Sequence, residues 1–341
     1  MRMNRKIRCA VIGLGRLGYW HAVNVKTKIQ SAELVYICDR NEELAKKVSI
    51  ELDVPNFTTN PSDIFSNDRI EAVIIASPTS THFELLKEAA FSNKAVFVEK
   101  PLVSNLDEAK EIFEIMKRHN TICQVGFMRR FDPAYAEAKK RILRGDIGKP
   151  IYFRGISRDP ASPPEEFIKN SGGIFIDMAI HDFDIARYLM ESDVEAVSAH
   201  GKVLKYPFMS KYQDVDQSLC YLEFESGAVG DVESSRNAHY GYDIRAEVIG
   251  TEGTIFIGGL RQHNIQVLTS SGAVHDIVQD FPTRFKDAYY LELEDFFNAL
   301  LEGYQPKVTV EDGVKAQEIA VAAQESFFKQ EKVSLKTSKI L

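Results

Sequence analysis

The first 127 residues alternate short, almost wholly apolar runs with stretches of helical character. Near-continuous hydrophobicity over strand length predicts parallel strands that are buried on both faces. The helical stretches between them predict the crossover connections that parallel strands need. The five runs are IRCAVIG (7–13), LVYICD (34–39), IEAVIIAS (70–77), KAVFVEKP (94–101) and TICQVGF (121–127). The pattern predicts an α/β domain with a doubly wound parallel sheet over residues 1–127.

The pattern changes after residue 127. Short runs rich in Val, Ile, Tyr and Phe, several of them alternating polar with apolar, are separated by glycine-containing turns. This is typical of an antiparallel sheet with one face on helices and one face available. Helices are predicted at 133–144, 174–190, 286–302 and 312–329. Residues 128–335 are therefore expected to form an α+β domain with a large, mostly antiparallel sheet.

Composition limits the partners and the compartment. Among 341 residues, 42 Lys and Arg stand against 49 Asp and Glu, so the net charge is −7. A mildly acidic chain argues against nucleic-acid or anionic-membrane partners, which need a concentrated positive surface. The four cysteines have no metal-binding spacing, and no stretch approaches the roughly 18 apolar residues of a membrane span. These features predict a soluble, cytoplasmic chain with reduced cysteines and no metal site.

A glycine turn, GxGxxG, directly follows the first apolar run. Gly13 would allow the tight turn, Gly15 would let a pyrophosphate approach, and Gly18 would let the helix lie close to the strand. The helix N-terminus, with Arg16 and Leu17, would offer free N–H groups to phosphate. A glycine turn without a ligand is the alternative reading.

An acid in the right place supports a dinucleotide site. Asp39 ends the second run, 39 − 18 = 21 residues after Gly18, where its carboxylate would accept hydrogen bonds from adenosine ribose hydroxyls. It would repel a 2′-phosphate, which favours NAD over NADP, although Arg40 beside it would partly offset that repulsion.

Two further segments carry candidate chemistry. Lys100 follows the fourth run, at the carboxyl end of a strand where ligands bind in open α/β sheets. Asp177 and His181 are four residues apart and would share one face of a mostly apolar helix. A carboxylate near an imidazole favours a general base. The alternatives are a surface lysine, a solvated helix face, or a metal site, for which no third ligand has suggestive spacing.

These motifs together resemble the glucose–fructose oxidoreductase / inositol dehydrogenase family over nearly the whole chain, with its N-terminal Rossmann domain. GFMRRFDP and RGISRDPASPPEEFIKNSGG (154–173) are most similar to the inositol 2-dehydrogenase subgroup. The other matching stretches are AVIGLGRLG, Asp39, ASPTSTH (76–82), VEKPL (98–102), GG…DMAIHDFDIARYL and EVIGTEGTI (247–255).

The resemblance implies roles for individual residues. His181 would be the general base, Asp177 would contact substrate and orient His181, and Lys100 would bind the reacting hydroxyl. Arg130, Asp159 and Tyr240 are implied as substrate contacts, with Asp132, Arg158, Asn237 and His239 as further candidates. The implied cofactor contacts are Gly13, Gly15, Arg16, Leu17, Gly18, Asp39, Arg40, Ser77, Thr79, His82, Glu99 and Lys100.

The resemblance also implies an activity and an assembly, with residues 128–335 binding substrate and mediating oligomerisation. The expected reaction is NAD-dependent oxidation of myo-inositol to 2-keto-myo-inositol by direct hydride transfer, in a homotetramer formed through the C-terminal sheet. The same chemistry on scyllo-inositol or an aldose is the close alternative. A non-catalytic dinucleotide-binding sensor is the alternative from another class, but it would not need Lys100, Asp177 and His181 together.

Overall fold

The apolar runs of the first third of the chain lie side by side in one sheet of a computed structural model, which describes residues 5–335. All six strands are parallel, in the order β3-β2-β1-β4-β5-β6, which confirms the predicted doubly wound sheet. The strands are β1 (Ile7–Ile12), β2 (Ala32–Cys38), β3 (Asn56–Thr58), β4 (Ala72–Ile75), β5 (Ala95–Glu99) and β6 (Cys123–Gly126).

Helices connect these strands, and two of them begin at capping side chains. The Asn41 side chain accepts a hydrogen bond from the Leu44 N–H (3.1 Å), and the Asn105 side chain accepts one from the Glu108 N–H (2.9 Å). Each cap satisfies an N–H group that has no partner within its helix. The helices are α1 (Arg16–Thr27), α2 (Glu42–Glu51), α3 (Ser62–Phe65), α4 (His82–Phe91) and α5 (Leu106–Arg118).

The second sheet has seven strands in the order β12-β11-β7-β10-β9-β8-β15. Among the strand pairs that the described residues form in this sheet, only β7 and β10 are parallel, so the prediction of a mostly antiparallel sheet is confirmed. The elements of this region are α6 (Pro133–Leu143), β7 (Pro150–Arg158), α7 (Glu165–Asn170), α8 (Ile180–Met190), β8 (Val194–Lys202), β9 (Gln217–Phe224), β10 (Val229–Ser235), β11 (Asp243–Gly250), β12 (Thr254–Ile257), β13 (Val267–Thr269), β14 (Gly272–Val274), α9 (Phe281–Arg284), α10 (Lys286–Glu302), α11 (Val310–Lys329) and β15 (Val333–Ser334).

The strands of this second sheet have two different faces. Along β9, Cys220 and Leu222 are buried, whereas Leu219 and Tyr221 between them are exposed. Successive side chains of a strand point to opposite faces, so this alternation gives one face to the core and leaves the other uncovered in the single chain. Helix α8 packs against β7 of this sheet.

The two compact units of the chain are not continuous stretches. Unit 1 is the chain up to Phe131 together with Asp287–Lys315, and unit 2 is Asp132–Lys286 together with the chain from Ala316 onward. The predicted division at residue 127 treats each domain as one stretch, whereas α10 returns to unit 1. Apolar side chains of α10 enter the core formed by β1, β2 and α1; they are Leu293, Phe296 and Phe297.

All four cysteines are buried free thiols, as predicted. Burial raises the pKa of Cys123 to about 12, and burial together with the Asp39 charge does the same for Cys38, so neither is a reactive thiolate at neutral pH. Within residues 5–335, no helix combines the length and the apolar character that crossing a membrane requires.

Candidate functional site

The three glycines of the turn between β1 and α1 have three different surroundings. Gly13 has φ +90°, and a Cβ there would lie 2.5 Å from the Ser77 backbone nitrogen. A Cβ at Gly18 would lie 1.8 Å from the Gly13 carbonyl oxygen, so this position requires glycine for helix–strand contact. Among the described residues, no atom lies within 4 Å of the corresponding position at Gly15. The space above Gly15 is open, as the approach of a pyrophosphate requires.

Asp39 follows β2, and backbone groups hold its side chain. The Leu14 N–H donates to Oδ2 (2.7 Å), and the Asn41 N–H donates to Oδ1 (2.9 Å). These two bonds orient the carboxylate beside the glycine turn while each oxygen keeps a further lone pair for a ligand. Arg40, next to it, is exposed.

These residues fit the adenosine and pyrophosphate part of NAD. Gly15 is the N-cap of α1 and makes no side-chain cap hydrogen bond, and the N-terminus of a helix suits phosphate oxygens. An open hollow beside the turn is lined by Gly15, Arg16 and, from α2, Leu44. Gly15 and the α1 N-terminus would hold the pyrophosphate, and Asp39 would hold the ribose.

A buried histidine forms hydrogen bonds that fix the loop after β4. His82 Nε2 lies 3.0 Å from the Ser77 carbonyl oxygen, and its Nδ1 lies 3.0 Å from that of Pro101 and 3.2 Å from that of Leu102. Burial lowers the pKa of His82 despite these carbonyl groups, which favour the charged ring. The imidazole therefore links the Ser77 loop to the segment after Lys100. Thr79 lies in this loop and is half-buried.

The end of β5 carries Glu99 and Lys100. The Glu99 carboxylate is buried and lies 2.6 Å from His21 Nε2. Lys100 is half-buried and directly follows the strand, and the Lys100–Pro101 peptide bond is cis. Because β1, β2, β4 and β5 are parallel, the glycine turn, Asp39, Ser77 and Lys100 all follow the carboxyl ends of strands at one edge of the sheet.

The candidate base in unit 2 lies on an irregular helix. The predicted helix over 174–190 is present, but residues Phe175–Ala179 form a π-helical turn that leads into α8. Asp177 lies in this π-helical turn and His181 in the first turn of α8, and both are half-buried. Single π turns inside helices are frequent at functional sites, where they redirect side chains.

A fully buried arginine holds the Asp177 carboxylate. Arg236, whose side chain is 1% exposed, donates to Asp177 Oδ2 (3.1 Å) and lies 3.4 Å from Asp159 Oδ2. The side chains of these two acids keep 19% and 26% exposure. One guanidinium thus orients two predicted site carboxylates of unit 2 while leaving each partly accessible.

Tyr240 belongs to a charged network on unit 2. Its hydroxyl donates to Asp243 Oδ2 (2.8 Å) and accepts from Arg158 (3.1 Å). Arg158 also makes two hydrogen bonds to Glu233 (3.0 and 2.6 Å). Burial works to raise the pKa of Glu233, but hydrogen bonds from Arg158 and Gln217 outweigh it and lower that pKa. Arg158 and Tyr240 are thus bound to each other.

The remaining predicted substrate contacts have structural partners. In unit 1, Arg130 is buried and donates to Asp312 Oδ1 (2.9 Å). In unit 2, Asp132 caps α6 and pairs with Arg284 (2.7 Å). Asn237 donates to Asp216 (3.2 Å), whereas His239 is exposed. The substrate roles of Arg130, Asp159 and Tyr240 remain predictions.

Family models match both parts of the chain. Residues 7–127 match the oxidoreductase family model with an NAD-binding Rossmann fold, and residues 139–335 match the C-terminal alpha/beta domain of the same family. The chain belongs to the Gfo/Idh/MocA oxidoreductase family. It is an NAD-dependent oxidoreductase, as the resemblance implied, and the NAD-binding Rossmann domain is what the glycine turn and Asp39 predicted.

Several members of this family with high similarity are named as inositol dehydrogenases. The chain is 52% identical over 325 residues to scyllo-inositol 2-dehydrogenase (NAD(+)) of Bacillus subtilis, covering 95% of each chain. It is 40% identical over 336 residues to myo-inositol 2-dehydrogenase of Thermotoga maritima, covering 98% of this chain and 100% of that one. The crystal structure of Lactobacillus casei scyllo-inositol dehydrogenase with bound NAD(H) and scyllo-inositol superimposes with TM-score 0.92 at 33% identity, covering 97% and 99% of the two chains.

The sequence did not predict the role of Arg236 as the partner of two acids. In the stretch SSRNAHYGYD, the predicted substrate contacts were Asn237, His239 and Tyr240. The sequence signal is the spacing of Arg236, which continues the every-second-residue pattern of Val232 and Ser234. The structure buries all three side chains. An arginine that is buried directly after a strand needs acidic partners, and Asp159 and Asp177 are those partners.

Proposed function

We propose that this chain is an inositol 2-dehydrogenase that oxidises one secondary hydroxyl of the ring to a ketone. The observation that carries the proposal is the hydrogen bond by which Arg236 holds the Asp177 carboxylate. Asp177 lies on the same helical segment as His181. A fixed acid four residues before a histidine suits a general base for an alcohol, since a carboxylate can orient the imidazole and raise its basicity.

The proposed reaction removes two hydrogens from one CH–OH group. His181 takes the hydroxyl proton, and Asp177 orients the imidazole and contacts the substrate. Lys100 binds the reacting oxygen and stabilises the negative charge that develops on it. NAD, when bound, supplies the hydride acceptor. The O–H and C–H bonds break, a C=O bond forms, and the products are ketone, NADH and a proton.

For the substrate, we propose scyllo-inositol ahead of myo-inositol. The relative with 52% identity bears the scyllo name, whereas the one with 40% identity bears the myo name. The two isomers differ in the orientation of one hydroxyl, and oxidation of that carbon in either isomer gives the same ketone. Asp159 is our first choice for a substrate hydroxyl contact, because its carboxylate is held by Arg236 and its side chain remains 26% exposed.

A substrate panel tests this proposal. Purified protein with NAD or NADP would be offered scyllo-, myo- and chiro-inositol and several aldoses, with NADH absorbance followed. We expect turnover with NAD and the highest kcat/KM on scyllo-inositol. A higher kcat/KM on myo-inositol would reverse the isomer order, and no turnover on any cyclic polyol or sugar would contradict the proposal.

We also propose that the open face of the second sheet forms a homotetramer interface in a cytoplasmic protein. Exposed apolar residues lie on that face, among them Leu219, Tyr221 and Phe256. We expect light scattering to give a tetramer, and Leu219→Arg with Tyr221→Lys to give smaller species. Leu143→Lys, which alters an exposed leucine at the end of α6, is the control. A monomeric parent protein would contradict this proposal.

A further inference from the structure

Three ionisable side chains meet in the interior of unit 1. His21 on α1 and Glu292 on α10 are fully buried, and Glu99 at the end of β5 is 6% exposed. One nitrogen or oxygen atom from each residue lies within 4.8 Å of those from the other two. His21 Nε2 and Glu99 Oε1 are 2.6 Å apart, which is the distance of a direct hydrogen bond.

The Glu292 carboxyl group makes no such bond to any of the described residues. Within the same part of the chain, neither of its two oxygens has a hydrogen-bond partner, and the same holds for His21 Nδ1. Aromatic side chains pack against the triad. The His21 ring makes T-shaped contacts with the rings of Phe97 and Tyr289, at centroid distances of 5.2 and 6.1 Å. A buried carboxylate without a hydrogen bond or a counter-charge is strongly disfavoured, so a group in this place is expected to hold a proton.

We propose that this triad is a proton-holding support for Lys100, in which Glu292 stays neutral and His21 anchors the ionised Glu99. Glu99 is directly followed by Lys100, so the support acts on the backbone from which the lysine leaves β5. His21 and Glu292 are then positioning residues, since they act through Glu99. The inference rests on the proposed role of Lys100.

The charges around Glu292 agree with this assignment. Burial and the negative charge of Glu99 raise the pKa of Glu292 well above its ordinary value. The titratable groups that face it are His21 from α1 and Glu99 from β5, and Tyr289 of its own helix packs against the His21 ring. The neighbouring strand β6 provides the uncharged Gln124, which donates to the Glu292 carbonyl oxygen (2.8 Å).

Two further titratable groups complete this environment. His82 on α4 lies close enough for the Glu99 charge to act on its own pKa. Lys100, which the support would position, is the residue that directly follows Glu99.

A divalent cation is the competing occupant. A histidine and two carboxylates are suitable ligands for zinc or manganese. A metal bound to His21 Nε2 would, however, use the nitrogen that lies 2.6 Å from Glu99 Oε1, and that hydrogen bond would be lost. The geometry therefore favours a proton, and metal binding is one outcome of the test.

The first experiment compares unfolding of the full-length protein and Glu292→Gln from pH 5 to pH 9. A carboxyl group whose folded-state pKa is raised contributes its full stability below the unfolded-state pKa and loses it as pH rises through the folded-state pKa. The amide that replaces the carboxyl group in this variant does not titrate, so the stability advantage of Glu292→Gln should grow with pH. Glu302→Gln, an exposed position on the same helix, is the control and should show no such trend.

Metal analysis of the purified protein is read beside this comparison. Stoichiometric zinc or manganese, together with a Tm that falls on chelation in the parent but not in Glu292→Gln, would overturn the proposal in favour of a metal site. A stability difference that is independent of pH would overturn it as well.

The second experiment measures turnover. His21→Leu removes the group that anchors Glu99, and we expect kcat to fall about 10-fold to 100-fold with little change in the KM for NAD. His21→Gln keeps an N–H donor and should recover part of the loss, and Glu292→Gln should keep the kcat that Glu292→Ala loses. Unchanged kcat in His21→Leu would overturn the positioning role.

The two proposals can fail separately. If the protein oxidises no inositol or sugar, the proposed function fails, but the pH-dependent stability difference still decides whether Glu292 holds a proton.

Discussion

Asp39 in unit 1 and Asp177 in unit 2 both serve the proposed reaction, but the chain holds them by different means. Backbone N–H groups of Leu14 and Asn41 orient Asp39, beside a turn that its own strand helps to form. The side chain of Arg236, 59 residues away in the sequence, orients Asp177. The orientation of the Asp39 carboxylate thus depends on the course of the backbone, whereas that of the Asp177 carboxylate depends on one side chain that is distant in sequence. A change in the second region should therefore be the more damaging.

The largest effect is expected from His181, the proposed base in unit 2. His181→Ala should lower kcat roughly 10²–10⁴-fold, which is the usual contribution of a general base, while NAD still binds. Steady-state kinetics and NAD titration would measure the two quantities. His263→Ala, at an exposed position, is the control. Turnover that is unchanged in His181→Ala would remove this residue from its proposed role.

Arg236 tests the support of the substrate acid directly. Arg236→Leu leaves two carboxylates beside an apolar side chain, and we expect a loss of about 3 kcal/mol in the free energy of unfolding. Arg236→Lys keeps the charge but not the fork geometry, and should lower kcat/KM about tenfold in a folded protein. Arg154→Leu, which breaks a surface pair with Asp231, should cost less than about 1 kcal/mol. Equal losses in Arg236→Leu and Arg154→Leu would contradict the comparison.

Asp39 tests the cofactor side. Asp39→Ser removes the ribose acceptor and the repulsion of a 2′-phosphate, so NAD affinity should fall roughly 10-fold to 100-fold and NADP affinity should rise. Fluorescence titration with both nucleotides measures this. Asp68→Ser, an exposed acid in the same unit, should change neither affinity. Indifference of NAD binding to Asp39→Ser would show that the ribose assignment is wrong.

The smallest effect concerns a carboxylate of unit 2 that backbone groups hold. Asp216 accepts from the N–H groups of Leu204, Lys205 and Tyr206. Burial opposes ionisation of Asp216, but these bonds and one from Asn237 outweigh it and lower its pKa. Asp216→Asn should cost about 1–2 kcal/mol of unfolding free energy at pH 7.

The sign of its pH dependence follows from the lowered pKa. The contribution is present above the unfolded-state pKa of about 3.9 and is lost as pH falls through the folded-state pKa. Urea unfolding at pH 7 and at pH 3 should therefore show a smaller difference between Asp216→Asn and the parent at the lower pH. The exposed Asp53→Asn is the control, and a difference that grows on acidification would contradict this account.

Most of unit 1 was predictable because its signals are local. Continuous apolar runs predicted five of its six strands. The strand β3 (Asn56–Thr58) was missed because three residues, two of them exposed, show no periodicity. The π turn before α8 was missed because its apolar pattern suits an α-helix equally well.

Long-range packing accounts for what was not predicted. The apolar pattern of α10 indicates a helix but not the sheet it covers, and its return to unit 1 is decided by the fit of Phe296 and Phe297 into that core. Arg130 resembled a substrate contact in sequence, and the structure gives it a partner in Asp312, which is 182 residues away.

The sequence by itself determined the parallel sheet and the glycine turn with Asp39 beside it, and it proposed the segments of Lys100 and His181 as catalytic. Each of these rests on residues that are neighbours in the chain or on one element, where periodicity and turn chemistry act directly. Only the tertiary structure decided that Arg236 holds Asp177 and that Glu292 comes to lie beside Glu99. Such partners are set by the register of strands and the docking of helices, which bring together side chains whose separation in sequence carries no signal.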